Sequence, residues 1–369
     1  MANNVKDTFK RFNSGRAIFF LMVFICWFLA GAVLKIASSV ILPFTIAILL
    51  AFVMYPFVKV LDKLRFPRFL SILLVVIIIV AGLYGFGMVL FTSGRVVVAQ
   101  FPKYESRLTE IYIWAARSFG LSYDEGLSFW ENMWGQLGIR TWVYKFTFSF
   151  SSIFVKFLQN AVLVVIFVGF ILFEASYFKE KLEVAFENRS DRINRIGHDL
   201  MAQVSRFLTA KFFISLANGV VFAVSFQMVG LEFAILWGVI QFLLNFIPTI
   251  GSIVAGIGIS LSALIQFWPA PGPIIVVLII VLVVNIVLGS ILDPKIIGDN
   301  VGISPLMIMV SLLIWGWIWG VAGMLLAVPM TVIIKIVCEN IPIMEPVSVL
   351  IGSRKSANAV KTAREENEA

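Results

Sequence analysis

Asn245-Phe-Ile-Pro248-Thr-Ile-Gly251 interrupts an apolar stretch, Leu231–Trp268, that is 38 residues long. A straight α-helix of that length would reach roughly 57 Å, against a hydrocarbon core about 30 Å thick. Tilt does not absorb such an excess. Pro248 has no N–H and disfavours helical geometry at Ile247, so the helix is expected to break there. The simplest geometry is a helix–break–helix hairpin that enters the membrane and leaves by the same face. Irregular backbone at that depth survives only when packed in protein or lining an aqueous cavity. The stretch therefore points to transport.

A second stretch repeats the pattern. Pro305–Cys338 has 34 residues, with Trp319-Gly320-Val-Ala-Gly323 near its middle, where two glycines weaken the helix. Gly251 and Gly323 stand 72 residues apart, as do Ala255 and Ala327, and Val229-Gly230-Leu231 and Val301-Gly302-Ile303. The identities are few; the shared order carries more weight, one plain span followed by one broken stretch, twice. Two re-entrant stretches would give the units opposite orientation, an inverted repeat. A plain eight-span arrangement remains the alternative, and it exchanges the sides of loops 269–272 and 293–304.

Working outward, the 369 residues are 60% hydrophobic and 14% charged, with 35 Phe. Mean hydropathy is +0.98. Soluble domains are about half apolar and about a quarter charged, so the expected fold class is an all-α integral membrane protein. It has about eight hydrophobic segments, the C-terminal half forming the inverted repeat of one span plus one re-entrant hairpin. One His and two Cys, Cys26 and Cys338 in apolar runs, exclude a disulfide framework and a Cys/His metal cluster. Ala17–Leu34 reads as a retained anchor, since the run is long and has no small-residue cleavage site.

The segments expected are 1–91 for the first spans, 92–149 for a Trp-bearing amphipathic segment, and 150–211 for the fourth span with a helix continuing from it. Residues 212–345 form the transport core and 346–369 a tail. Basic loops at 1–16 and 59–68 put both on the cytoplasmic side, and with them both termini. Residues 92–149 then lie outside, as short amphipathic surface helices or a small packed lobe. Nucleic-acid binding would need a basic face, which the mixed charge of the polar segments does not provide.

Ionisable groups are scarce in the apolar runs, and the interior amides are Asn218, Gln241, Asn245 and Asn285. Amides in membrane helices often only bridge neighbours, at about 1 kcal/mol or less each. Asn245 lies beside the Pro248 break, where freed carbonyls and the N–H groups near Gly251 could face a solute. Trp319, Gly320 and Gly323 offer the same at the second break, and opposed tips would form one site with Asn218 and Asn285 on supporting spans. Asp293-Pro294-Lys295 ends the seventh run; it reads either as an interfacial ion pair or as a gate with a titrating carboxylate. Gly-rich phosphate loops and a Ser/His/Asp set are missing from the sequence, so neither an enzyme nor a cofactor is expected.

Four blocks carry a resemblance. They are Leu244-Asn-Phe-Ile-Pro-Thr-Ile-Gly-Ser-Ile-Val254, Asp293-Pro-Lys-Ile-Ile-Gly298, Val301-Gly-Ile-Ser-Pro305 and Trp319-Gly-Val-Ala-Gly-Met-Leu-Leu-Ala-Val-Pro329. In order and spacing they resemble the autoinducer-2 exporter family of bacterial permeases. The sequence departs from the family at Asp293, where Glu is usual, at Thr249, where an aromatic is common, and at Thr209-Ala210-Lys211, where a Gly-Gln pair is usual. The resemblance implies a secondary transporter in the bacterial inner membrane. It implies an exporter of autoinducer-2 in some members and a sodium/proton antiporter in others.

The expected function is therefore export of a small polar solute by alternating access, with a proton or sodium ion as possible coupling partner and a homo-oligomer as the assembly. Two alternatives stay open: a cation antiporter titrating at Asp293, and a non-transporting scaffold that binds a partner through residues 92–149.

Overall fold

The computed structural model describes residues 14–119, 139–185, 190–292, 302–341 and 344–353, and no strand occurs among them. Five helices come first: α1 (Ser14–Ile36), α2 (Ser38–Lys63), α3 (Arg68–Phe119), α4 (Ile139–Ala185) and α5 (Ser190–Val229). Two shorter ones follow, α6 (Ala234–Leu244) and α7 (Ile250–Phe267). Next, α8 (Pro271–Val284) runs directly into a π-helix, Asn285–Leu292, and α9 (Pro305–Asn340) and α10 (Glu345–Ile351) close the chain. Seven helical segments among the described residues are long and apolar enough to cross a bilayer; α6 is shorter. The chain is an all-α membrane protein.

Both long stretches are broken where the residues demand it. At the first, α6 ends at Leu244 and the chain turns through Asn245–Thr249. Ile250 N donates to Pro248 O at 2.6 Å, closing a γ-turn on Thr249, whose φ of 62° and ψ of −56° make this the rare, strained hand. Gly251 N donates to Ile247 O at 3.0 Å and starts α7. At the second, Trp319 and Gly320 leave helical geometry, Gly320 with φ 62° and ψ −139°, which only glycine adopts readily.

Each break folds its helix back on itself. A methyl group on Gly251 would stand 1.8 Å from Leu244 O, and one on Gly323 would stand 1.8 Å from Trp315 O. No side chain fits such a gap, so these glycines let the two arms of each hairpin touch backbone to backbone. Further out, Trp237 lies on Gly258 in the first hairpin and Met324 on Gly316 in the second. The two closing glycines are the pair separated by 72 residues.

Three cores hold the elements. One joins α2, α3, α4, α5 and the last turns of α9, through Val53, Val75, Val168, Leu208 and Val332. Another joins α5 to the first hairpin and α8, through Phe222, Phe226, Ile259 and Val277. A third seats Ile247 of the first turn between Leu312 and Ala327 on the two arms of the second hairpin. Large apolar side chains on the outer faces stay exposed, as a lipid-facing surface requires; Leu313 is 75% exposed.

One boundary differs from expectation. Instead of ending near residue 91, the third helix runs 52 residues to Phe119. Its far end has a partner to rest on: Trp114 packs edge-on against Trp268 at 5.0 Å, and Arg107 donates to Trp268 O at 3.3 Å. The helix following the fourth span is described to Ala185 and again from Ser190; residues 186–189 lie outside the described residues. Trp130 and Trp134, and the side chains of Trp142 and His198, lie outside the described residues, as does most of the tail.

Candidate functional site

The interior amides meet along one helix. Gln241 and Asn245 are four residues apart and share a face of α6. Asn245 Oδ1 accepts from Asn218 Nδ2 at 3.3 Å, and Asn245 Nδ2 donates to Ser215 Oγ at 2.9 Å. One turn away, Gln241 Nε2 donates to Asn285 Oδ1 at 3.2 Å. Asn285 is the residue at which α8 widens into the π-helix, a distortion frequent at functional sites. This ladder of amides thus ties α6 to α5 on one side and to α8 on the other.

Local sequence explains why the ladder closes. Gly219 and Gly238 face each other across α5 and α6, and a methyl group on either would stand 2.6 Å from the other's carbonyl oxygen. Small residues at a membrane-helix crossing allow this approach and bring short polar side chains into reach. Asn218 sits next to Gly219, and Gln241 lies three residues beyond Gly238. Ser215 and the glycine contact were not foreseen from sequence. The signal was there in Ser215 and Asn218, one turn apart on α5.

The ladder is buried and incomplete. Ser215 and Gln241 are fully buried, Asn218 nearly so, and Asn245 is buried too. Two acceptors, Asn218 Oδ1 and Gln241 Oε1, have no hydrogen-bond partner. A buried polar atom left without a partner costs about 1–3 kcal/mol. One stands in each hydrogen-bonded group, Asn218 with Asn245 and Ser215, Gln241 with Asn285, and each marks a place that wants a donor. Each residue of the ladder is an uncharged amide or hydroxyl, so it can accept hydroxyls of a neutral solute or replace part of a cation's hydration.

The other expected residues fall elsewhere. Pro248 and Gly251 shape the turn beside Asn245. Gly323 closes the second hairpin, and Gly320 is exposed at its turn. Instead of facing Asn245, that turn is held by α1, where Trp319 donates its indole N–H to Leu34 O at 3.1 Å. The structure pairs Asn218 with Asn245 and Gln241 with Asn285, while the neighbours of Gly323, Trp315 and Met324, pack with Leu244 and Ile247. Asp293 and Lys295 lie outside the described residues.

Charged side chains near the ends of the apolar helices have protein partners. Glu232 binds Lys103 Nζ at 2.5 Å and accepts from the Tyr104 hydroxyl. Burial alone would raise its carboxyl, but the bonds from Lys103 and Tyr104 and the lysine's charge outweigh that and hold it below the ordinary range. The Tyr104 phenol is pushed up by burial and by Glu232, and stays protonated. Lys335 is buried and pairs with Glu339 at 2.6 Å; Glu174 pairs with Lys181.

Comparison with known proteins places this architecture. A family model described as AI-2E family transporter matches residues 18–343. A relative from Borreliella burgdorferi named "Putative transport protein" is 28% identical, covering 91% of this chain and 90% of its own. One of the same name from Haemophilus influenzae is 30% identical over 88% of this chain and 92% of its own. The AI-2 transport protein TqsA of Escherichia coli K12 is 28% identical over 86% and 91%. With a family model covering nearly the whole chain, this protein belongs to the AI-2E transporter family.

Proposed function

We propose that this chain is a secondary transporter that exports a small polar solute, autoinducer-2 or a compound like it, across the bacterial cytoplasmic membrane. The observation that carries the reading is the buried, uncharged amide ladder with two acceptors open beside a broken helix. A hydroxyl-rich solute has the donors that Asn218 Oδ1 and Gln241 Oε1 lack. The two hairpins dip in from opposite faces, and Ile247, wedged between the arms of the second, couples their movements. Alternating access follows when the hairpins shift about the ladder. Asp293 and Lys295 are the coupling and gating residues, both termini face the cytoplasm, and the protein works as a homo-oligomer.

The test uses cells that make autoinducer-2 and lack an exporter of their own. They express the wild type, Asn245→Leu or Gln241→Leu at equal membrane abundance, and both released autoinducer-2 and all retained small solutes are measured. The wild type is expected to deplete a polar solute that either variant retains. Identical pools in all strains would overturn the reading. A second reading, sodium/proton antiport, is favoured by the same open acceptors, because carbonyl oxygens also suit hard cations. Sodium-driven proton movement in proteoliposomes, lost in Asp293→Asn, would select it.

A further inference from the structure

Past residue 96, α3 crosses the outer end of the first hairpin and roofs a cavity of about 240 Å³. Tyr104, Glu232, Phe233, Trp237, Ser262 and Gln266 line it. It lies one turn beyond Gln241 along α6 and is separate from the amide ladder. The volume is below the usual range for drug-sized ligands, so an occupant would be small.

Its walls are fixed in place. Glu232 N donates to Gln266 Oε1 at 2.7 Å, and Gln266 Nε2 donates to Gly230 O at 2.8 Å, so one side chain pins the loop that presents the carboxylate. Gly258 leaves room for the indole of Trp237; a methyl group there would stand 2.6 Å from the ring. Phe233 and Tyr104 lie with ring centroids 6.3 Å apart. One carboxylate among three aromatic rings is the surrounding that attracts an organic cation.

An ammonium is already there. Lys103 Nζ sits on Glu232 at 2.5 Å and 6.0 Å from the centre of the Tyr104 ring, on a side chain that is half exposed and free to leave. Arg107, a second cation on this arm that touches the hairpin, is engaged by Glu110 and by Trp268 O. We propose that the cavity is a binding site for a small organic ammonium with an aromatic or branched apolar body, and that Lys103 is its tethered competitor. The ligand's ammonium takes the place of Lys103 on Glu232, and its apolar body lies against Phe233 and Trp237.

The competition gives the proposal a sign that a structural role for Lys103 would not give. Purified full-length protein in detergent is titrated with phenethylammonium, with 2-phenylethanol as the uncharged match, and binding is read by saturation-transfer NMR and calorimetry. The ammonium should bind saturably and at least about tenfold more tightly than the alcohol, the worth of one desolvated cation–aromatic and carboxylate contact. Lys103→Met should tighten binding several-fold, Glu232→Gln should abolish it, and Gly258→Ala, which displaces the indole, should weaken it. Should Glu232→Gln not fold, the Lys103→Met result still decides. Equal binding of amine and alcohol, no saturable binding by the wild type, or unchanged or weaker binding by Lys103→Met overturns the proposal.

Discussion

The two hairpins share one construction and spend their polar groups differently. Both fold back at a break, and both are closed by a glycine whose place no side chain can take. In the second, polar groups are satisfied within the hairpin: the Ser311 and Thr331 hydroxyls, 2.5 Å apart, both reach Ala327 O. In the first, Gln241 and Asn245 reach outward to α5 and α8 and leave two acceptors of the network open. Repeating a fold does not repeat a site. A closed network stiffens an element, whereas an open one can hold a ligand, so the proposed binding falls to the first hairpin and a framing role to the second.

The largest effect should fall on both alike. Gly251→Ala and Gly323→Ala each force a methyl group into a backbone carbonyl, and each should cost at or above the ~3 kcal/mol upper end of overpacking. Thermal melting of purified protein would show it, and a well-folded Gly323→Ala would mean the second hairpin is not closed this way. Asn245→Leu and Thr331→Val should then separate the two. Each removes hydrogen bonds worth about 1 kcal/mol, yet only Asn245→Leu should drop solute release about tenfold per folded molecule, the worth of one lost contact to the passenger.

The tips should respond with opposite signs. Thr249 is a β-branched residue at positive φ, and Thr249→Gly relieves strain of about 1 kcal/mol or more and raises the melting temperature. Gly320→Ala imposes strain of about 1–2 kcal/mol although the space around it is open, and lowers it. A smaller effect belongs to the contact between α3 and the first hairpin. The Glu232 carboxyl titrates lower in the folded protein than the ordinary value of about 4.3, so its stabilisation is present above that value and fades as pH falls through the lowered one. Protection factors of the amides around residues 100–110, corrected for intrinsic exchange, should therefore stay flat from neutral pH down to the ordinary carboxylate value and fall below it. The gain is below about 1 kcal/mol because the pair is partly exposed.

Much of this was legible in the sequence. Pro248, and Gly320 with Gly323, are local instructions: they break a helix whatever surrounds them, and excess length over the bilayer makes the breaks necessary. The amides were equally visible, because so few polar residues occur in the apolar runs. What could not be read was which of them meet. That depends on the crossing of α5 over α6 at Gly219 and Gly238, a contact between distant residues that leaves no periodic signal. The length of α3 escaped for the same reason: its far half is polar enough to end a span, and only docking on Glu232 and Trp268 gives it somewhere to lie. Trp319 was expected at a solute site because it borders a break, but its indole N–H is taken by Leu34 O, a partner 285 residues away.

We propose that the two hairpins enter the membrane from opposite faces without crossing it. Single cysteines at Ala270 and Asn300, in a chain with Cys26 and Cys338 replaced by alanine, can be probed in intact cells with a membrane-impermeant maleimide. Labelling at Ala270→Cys, with Asn300→Cys reactive only after permeabilisation, is the predicted result. Labelling of Asn300→Cys from the medium, with Ala270→Cys protected, would contradict it and leave eight ordinary crossings in its place.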